Sequence, residues 1–65
     1  MDRKEALLAY RTNPDAALYL FTREGVFSED HKKVLRKGKM ISYTSGMWVL
    51  TDDAVSRART LGYLD

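Results

Sequence analysis

The apolar residues recur with a helical period in the first half of the chain, alternate in a short central segment, and return to a helical period near the end. Asp2 and Glu5 form an aspartate version of a capping box, which predicts that a first helix begins near Asp2. Asn13 before Pro14 is typical of an N-cap followed by a first helical residue. A second helix is therefore predicted over residues 14–24.

A third helix is predicted between Ser28, as its N-cap, and Gly38, where it ends. Since successive residues of a helix are about 100° apart, His31, Val34 and Leu35 fall on the same face as Gly38. The opposite face carries only bases, namely Lys32, Lys33, Arg36 and Lys37. This third helix is predicted to be half core and half basic surface.

The alternating segment predicts a β-hairpin over residues 40–51 with a two-residue turn at Ser45-Gly46. This turn pairs Thr44 with Met47, Tyr43 with Trp48, Ser42 with Val49 and Ile41 with Leu50. The register gives Ile41, Tyr43, Trp48 and Leu50 one common face. We predict that this face lies against the core.

The last helix is predicted to begin after Thr51 or Asp52, and its apolar stripe is Ala54, Val55, Ala58 and Leu61. The chain is thus predicted to form one α+β domain over residues 1–65, in the order helix, helix, helix, hairpin, helix. The predicted core draws on every element: Leu7, Ala17, Leu18, Leu20, Phe21, Val34, Leu35, Ile41, Trp48, Leu50, Ala58 and Leu61.

Charge is distributed unevenly along the 65 residues, although the net charge is only +2. Residues 1–27 carry four bases and four acids, and residues 40–65 carry two bases and three acids. Residues 28–39 carry five bases against two acids, so the whole surplus lies in this segment. Such local asymmetry indicates a partner more strongly than a modest net charge does.

Catalytic and metal chemistry find little support in the residue inventory. The chain has no cysteine and one histidine, and it lacks a glycine-rich phosphate loop. Adjacent acids such as Asp52 and Asp53 diverge by about 100° on a helix, so they do not converge on a substrate. We expect no enzymatic activity, no cofactor and no metal. The absence of a long apolar run or secretory segment leads us to expect no membrane association and a cytoplasmic location.

The segment "GKMISYTSGMWVLTDDAVSRARTLGYL" resembles the winged helix-turn-helix family, because a wing-like hairpin ends in Leu-Thr and leads into an amphipathic helix. The helices at 14–24 and 28–37, joined by "GVF", would form the helix-turn-helix. The resemblance implies a winged helix-turn-helix fold whose third helix is the recognition helix. It also implies a small DNA-binding transcriptional regulator of the type that phages or mobile elements carry.

Double-stranded DNA is the partner that this resemblance implies for the basic segment. The expected contact residues are Lys32, Lys33, Arg36, Lys37 and Lys39 of that segment, Asn13 at the second helix, and Thr44 and Ser45 at the wing tip. Two other interpretations of the basic helix stay open. It is either an ordinary solvated face with a Glu29–Lys33 pair, or a surface for an acidic protein.

An apolar surplus on the first two helices supports an alternative function. Leu8, Tyr10 and Tyr19 fall outside the predicted core stripes, so we expect them at a protein partner or a homodimer surface. The alternative is a protein-binding winged helix that acts as a small inhibitor or adaptor of a host protein.

Overall fold

The computed structural model describes residues 1–64, which form four helices and one antiparallel hairpin. The elements are α1 (Arg3–Ala9), α2 (Pro14–Arg23), α3 (Glu29–Lys37), β1 (Ile41–Thr44), β2 (Met47–Leu50) and α4 (Asp52–Thr60). The predicted α+β class and element order are confirmed.

Each helix begins where a short polar side chain accepts a hydrogen bond from the backbone of the first turn, which satisfies an N–H group that has no partner within the helix. The four capping residues are Asp2, Asn13, Ser28 and Thr51. The last helix is therefore capped by Thr51, whose Oγ1 accepts from Ala54 N at 3.2 Å, and Asp52 is its first residue.

The hairpin has the predicted register, from Ile41 opposite Leu50 to Thr44 opposite Met47. Ser45 and Gly46 both have positive φ angles, 52° and 81°. This is the backbone of a type I′ turn, whose twist matches that of the flanking strands.

The core forms two clusters on either side of α2. The larger cluster contains Ala17, Leu18, Leu35, Ile41, Ala54 and Ala58. The smaller one contains Ala6, Ala16 and Leu20. Five of these nine residues are alanines, so the helices pack closely but bury few large side chains. Leu18, Leu20 and Leu35 are the largest side chains that are fully buried.

The predicted core placement of Leu7 is wrong, since Leu7 is 42% exposed. Helix α1 contacts the smaller cluster through Ala6, Ala9 and Tyr10. These positions are three and four residues apart and share one helix face, which leaves Leu7 beside that face rather than on it.

The predicted core placement of Tyr43 is also wrong, since Tyr43 is 62% exposed. At the base of the hairpin Ile41 is buried and Leu50 packs against the core, and Trp48 is half-buried against it. Tyr43 shares their face but lies further toward the turn, where the hairpin extends past the helices. The alternation therefore predicted the correct face but overestimated how far along it the core reaches.

Helices α3 and α4 end with the same two backbone hydrogen bonds. After α3, Met40 N donates to Leu35 O at 2.8 Å and Lys39 N donates to Arg36 O at 3.0 Å. After α4, Tyr63 N donates to Ala58 O at 2.7 Å and Gly62 N donates to Arg59 O at 3.0 Å. This Schellman arrangement requires a left-handed residue just after the cap. Gly62 fills that position after α4 with φ 80°, whereas Lys39 fills it after α3 with φ 58°.

Candidate nucleic-acid interface

The basic residues of α3 lie on its outer side, as the spacing predicts. His31 and Leu35 turn inward and are 5% and 0% exposed. The outer side carries Lys32, Lys33, Arg36 and Lys37, of which only Lys32 is half-buried. We call these four residues the basic face of α3.

One edge of this basic face borders the hairpin. Lys32 Nζ lies 5.6 Å and Arg36 Cζ lies 5.5 Å from the centroid of the Trp48 ring. Both distances are within the range of a cation–π contact. The indole of Trp48 therefore contacts both cationic side chains where α3 faces the hairpin.

The other edge borders the turn between α1 and α2. A groove of about 520 Å³ there is lined by Arg11, Thr12, Pro14, Val34, Lys37 and Gly38. An adjoining depression adds Lys33 and Asp30 to the same edge. Arg11 thus joins two lysines of α3 at one groove, although the sequence analysis did not select it. It is 22 residues before Lys33, and no local pattern links the two.

The two acids in the first turn of α3 are each paired with a base. Glu29 Oε1 lies 3.1 Å from Lys32 Nζ, and Asp30 Oδ2 lies 3.3 Å from Arg11 Nη2. The helix pair is therefore Glu29–Lys32, and the expected Glu29–Lys33 pair does not form. The hydrogen bond to the Tyr10 hydroxyl and the electrostatic interaction with it raise the pKa of Arg11, and the charge of Asp30 adds a smaller effect in the same direction.

Among residues 1–64 the ion pairs involve only the bases Arg11, Lys32 and Arg57, and the unpaired bases that lie on or beside α3 are Lys33, Arg36, Lys37 and Lys39. All four are exposed. Surface ion pairs with long side chains contribute little to stability. The unpaired cations matter mainly for the electrostatic potential that a partner meets.

His31 has a structural place beneath the basic face. Its ring stacks on Tyr10, with centroids 4.1 Å apart and an interplanar angle of 17°, and its Nδ1 shares a hydrogen bond with Ser28 Oγ. Burial lowers the pKa of His31, and the opposing effect of Asp30 is smaller. The imidazole is therefore neutral at pH 7 and adds no charge to the surface.

The remaining predicted contact residues lie at three separate points. Asn13 is half-buried at the start of α2, where its Oδ1 accepts from Asp15 N at 3.1 Å. Lys39 lies between α3 and the hairpin, and its carbonyl accepts a hydrogen bond from Thr51 Oγ1 at 2.9 Å. Thr44 and Ser45 are exposed at the hairpin tip.

The residues expected at an apolar partner surface do not form one patch. Leu8 is 82% exposed. Tyr10 instead stacks on His31, and Tyr19 packs edge-on against Tyr63 with centroids 5.2 Å apart. Both tyrosines are half-buried, so Leu8 and its neighbour Leu7 carry most of the exposed apolar area of α1.

A second long-range ion pair, also missed by the sequence analysis, joins α4 to the start of α2. Arg57 contacts both carboxylate oxygens of Asp15, with Nε 3.1 Å from Oδ1 and Nη2 2.6 Å from Oδ2. The hydrogen bonds from Arg57 lower the pKa of Asp15. This pair links α4 to the start of α2 and occupies Arg57, so Arg57 does not add to the basic face.

Across residues 1–64 no helix is long and apolar enough to cross a membrane, and no cluster of three or more potential metal ligands is found. No model of a protein family, no curated protein and no solved structure matches this chain.

Proposed function

We propose that this chain is a small winged helix-turn-helix regulator that binds double-stranded DNA through the basic face of α3. The observation that carries the proposal is the set of exposed bases on and beside α3 that have no carboxylate partner in the described chain: Lys33, Arg36, Lys37 and Lys39. Unpaired cations on one side of a helix are suited to a row of phosphates.

The shape of α3 is compatible with a duplex as the partner. An α-helix with its side chains is about 10 to 12 Å across, and the major groove of B-DNA is about 12 Å wide and admits one α-helix. The acids in its first turn are paired with Lys32 and Arg11, which reduces their repulsion of phosphates. The hairpin tip at Thr44 and Ser45 offers hydroxyl and backbone groups to the DNA backbone, and such contacts set orientation rather than sequence preference.

Binding to a fluorescein-labelled duplex of about two helical turns, followed by anisotropy, tests the proposal. Lys33→Ala with Lys37→Ala removes two cations from the basic face. Arg3→Ala with Lys4→Ala is the matched control, because it removes the same charge from exposed positions on α1. We expect the first pair to weaken binding strongly and the control pair to change it little. Equal losses in the two double variants would show that only net charge matters.

The alternative, a protein-binding inhibitor or adaptor, is favoured by one observation. Leu7 and Leu8 are 42% and 82% exposed on consecutive positions of α1. Adjoining exposed apolar side chains are a candidate contact surface for another protein. Two results together would replace the DNA proposal with this one. The chain would bind no duplex, and it would recover a stoichiometric host protein that the Leu8→Glu variant does not recover.

A further inference from the structure

An exposed aromatic side chain lies on the hairpin beside the basic face. Tyr43 is 62% exposed and packs edge-on against Trp48, with ring centroids 5.2 Å apart and an interplanar angle of 65°. Trp48 is itself half-buried against the larger core cluster. Tyr43 is therefore held in a defined orientation while most of its ring area is accessible to solvent.

The surroundings of this aromatic pair are cationic. Lys32 Nζ lies 5.6 Å and Arg36 Cζ lies 5.5 Å from the centroid of the Trp48 ring, and the Tyr43 ring packs against the same indole. We call Tyr43, Trp48, Lys32 and Arg36 the aromatic platform. An apolar partner would gain nothing from the two cations, whereas a planar group that carries a nearby anion would gain from both features.

An unpaired nucleotide has this combination of a flat base and an attached phosphate. Proteins that bind single strands stack bases on aromatic side chains and hold the backbone with cations. Paired bases inside a duplex present only their edges, so the face of an exposed tyrosine is of little use to a fully paired site.

We infer that the aromatic platform stacks an unpaired base next to a duplex, with Tyr43 against the base and Arg36, which has no carboxylate partner in the described chain, near its phosphate. The inference rests on the proposed binding of duplex DNA and narrows the substrate to a duplex with an unpaired end or gap. The inference also gives the hairpin a role in binding, namely base stacking by Tyr43, which does not depend on charge at the hairpin tip.

Three labelled DNA probes test this inference. They share one duplex and differ in its end, which is blunt, or extended by six thymidines, or extended by six abasic residues. The abasic extension keeps the added phosphates and removes the bases. Stacking of one base on an aromatic side chain corresponds to a tighter binding of roughly 5- to 140-fold. We expect the thymidine extension to bind more tightly than the abasic one by a factor in this range.

Variants of the hairpin assign the gain to Tyr43. Tyr43→Leu should abolish the preference for thymidines, and Tyr43→Phe should keep it because the ring remains. Met47→Ala is the matched control, since Met47 is 60% exposed and lies on the opposite face of the hairpin. Trp48 is the only tryptophan of the chain, so quenching of its fluorescence by the thymidine probe is an independent readout.

The outcomes separate this inference from the proposed function. Equal binding of thymidine and abasic extensions by the unmodified chain, or retention of the preference in Tyr43→Leu, overturns the inference and leaves blunt-duplex binding intact. Absence of blunt-duplex binding overturns the proposed function. A preference for thymidines that Tyr43→Leu alone abolishes supports the platform in either case.

Discussion

The left-handed conformation of Lys39 provides a test of how this chain balances stability and binding. Lys39 has φ 58° at the position that Gly62 occupies, with φ 80°, in the matching turn after α4. A left-handed conformation costs a non-glycine residue about 1 to 2 kcal/mol, and glycine loses about 0.5 to 1 kcal/mol more backbone entropy on folding. The difference spans about 0 to 1.5 kcal/mol, so Lys39→Gly should stabilise the fold by about 0.5 to 1 kcal/mol, the middle of that range.

Thermal unfolding followed by circular dichroism measures this effect. For a domain of this size, 1 kcal/mol corresponds to about 4 to 8 °C in Tm, so Lys39→Gly should raise Tm by about 2 to 8 °C. Gly62→Lys is the reciprocal variant. A Cβ atom at Gly62 meets no atom within 4 Å, so the backbone cost should lower Tm by a similar amount. An unchanged or lower Tm in Lys39→Gly would refute the reasoning.

The same variant should bind duplex DNA less well in spite of its greater stability, because it lacks one of the unpaired cations. Backbone strain is often retained where a residue serves function. A more stable variant with weaker binding would identify Lys39 as such a residue. A more stable variant with unchanged binding would remove Lys39 from the proposed interface.

Three further predictions concern stability. Because burial lowers the folded-state pKa of His31 below the ordinary 6.5, the unfolded chain takes up its proton first as pH falls. The free energy of unfolding should decrease below about pH 6.5, and His31→Phe should weaken that dependence in urea titrations. Asp15 has a folded-state pKa below 3.8, so its contribution to the free energy of unfolding is present above pH 3.8 and is lost at lower pH. Arg57→Gln should remove this acid-dependent loss of stability in the same titrations. Leu18→Ala should cost about 2 to 5 kcal/mol, and unchanged cooperative melting would contradict the assigned core.

Most of the fold can be predicted from interactions between residues that are close in the sequence. The caps at Asp2, Asn13, Ser28 and Thr51 depend on residues within three positions, and the hairpin register follows from alternation and one tight turn. Such signals are complete within a short window, so they can be interpreted without the tertiary structure.

The errors come from properties that a short window does not contain. The exposure of Tyr43 depends on how far the hairpin extends past the helices, and that of Leu7 depends on which face of α1 meets α2. Hydrophobicity predicts a preference for burial, but a thin core of a 65-residue chain cannot cover every apolar side chain.

The candidate interface was predictable only in part, for the same reason. The bases of α3 are adjacent in sequence and fall on one face by helix geometry. Arg11 reaches Asp30 across 19 positions, and Arg57 reaches Asp15 across 42 positions. These contacts decide which charges are paired, and only the tertiary structure brings them together.

The salt dependence of duplex binding tests the central claim most directly. Each neutralised phosphate contributes about −0.9 to the slope of log affinity against log salt, so the four unpaired bases on and beside α3 should give a slope of about −3.6. Affinity should then fall about 150-fold between 50 and 200 mM salt, and only about 12-fold in the Lys33→Ala, Lys37→Ala variant. An absence of duplex binding at 50 mM salt would contradict the assignment of α3 as the DNA-binding helix. So would a salt slope of the Lys33→Ala, Lys37→Ala variant that equals the slope of the unmodified chain, provided that the variant folds normally.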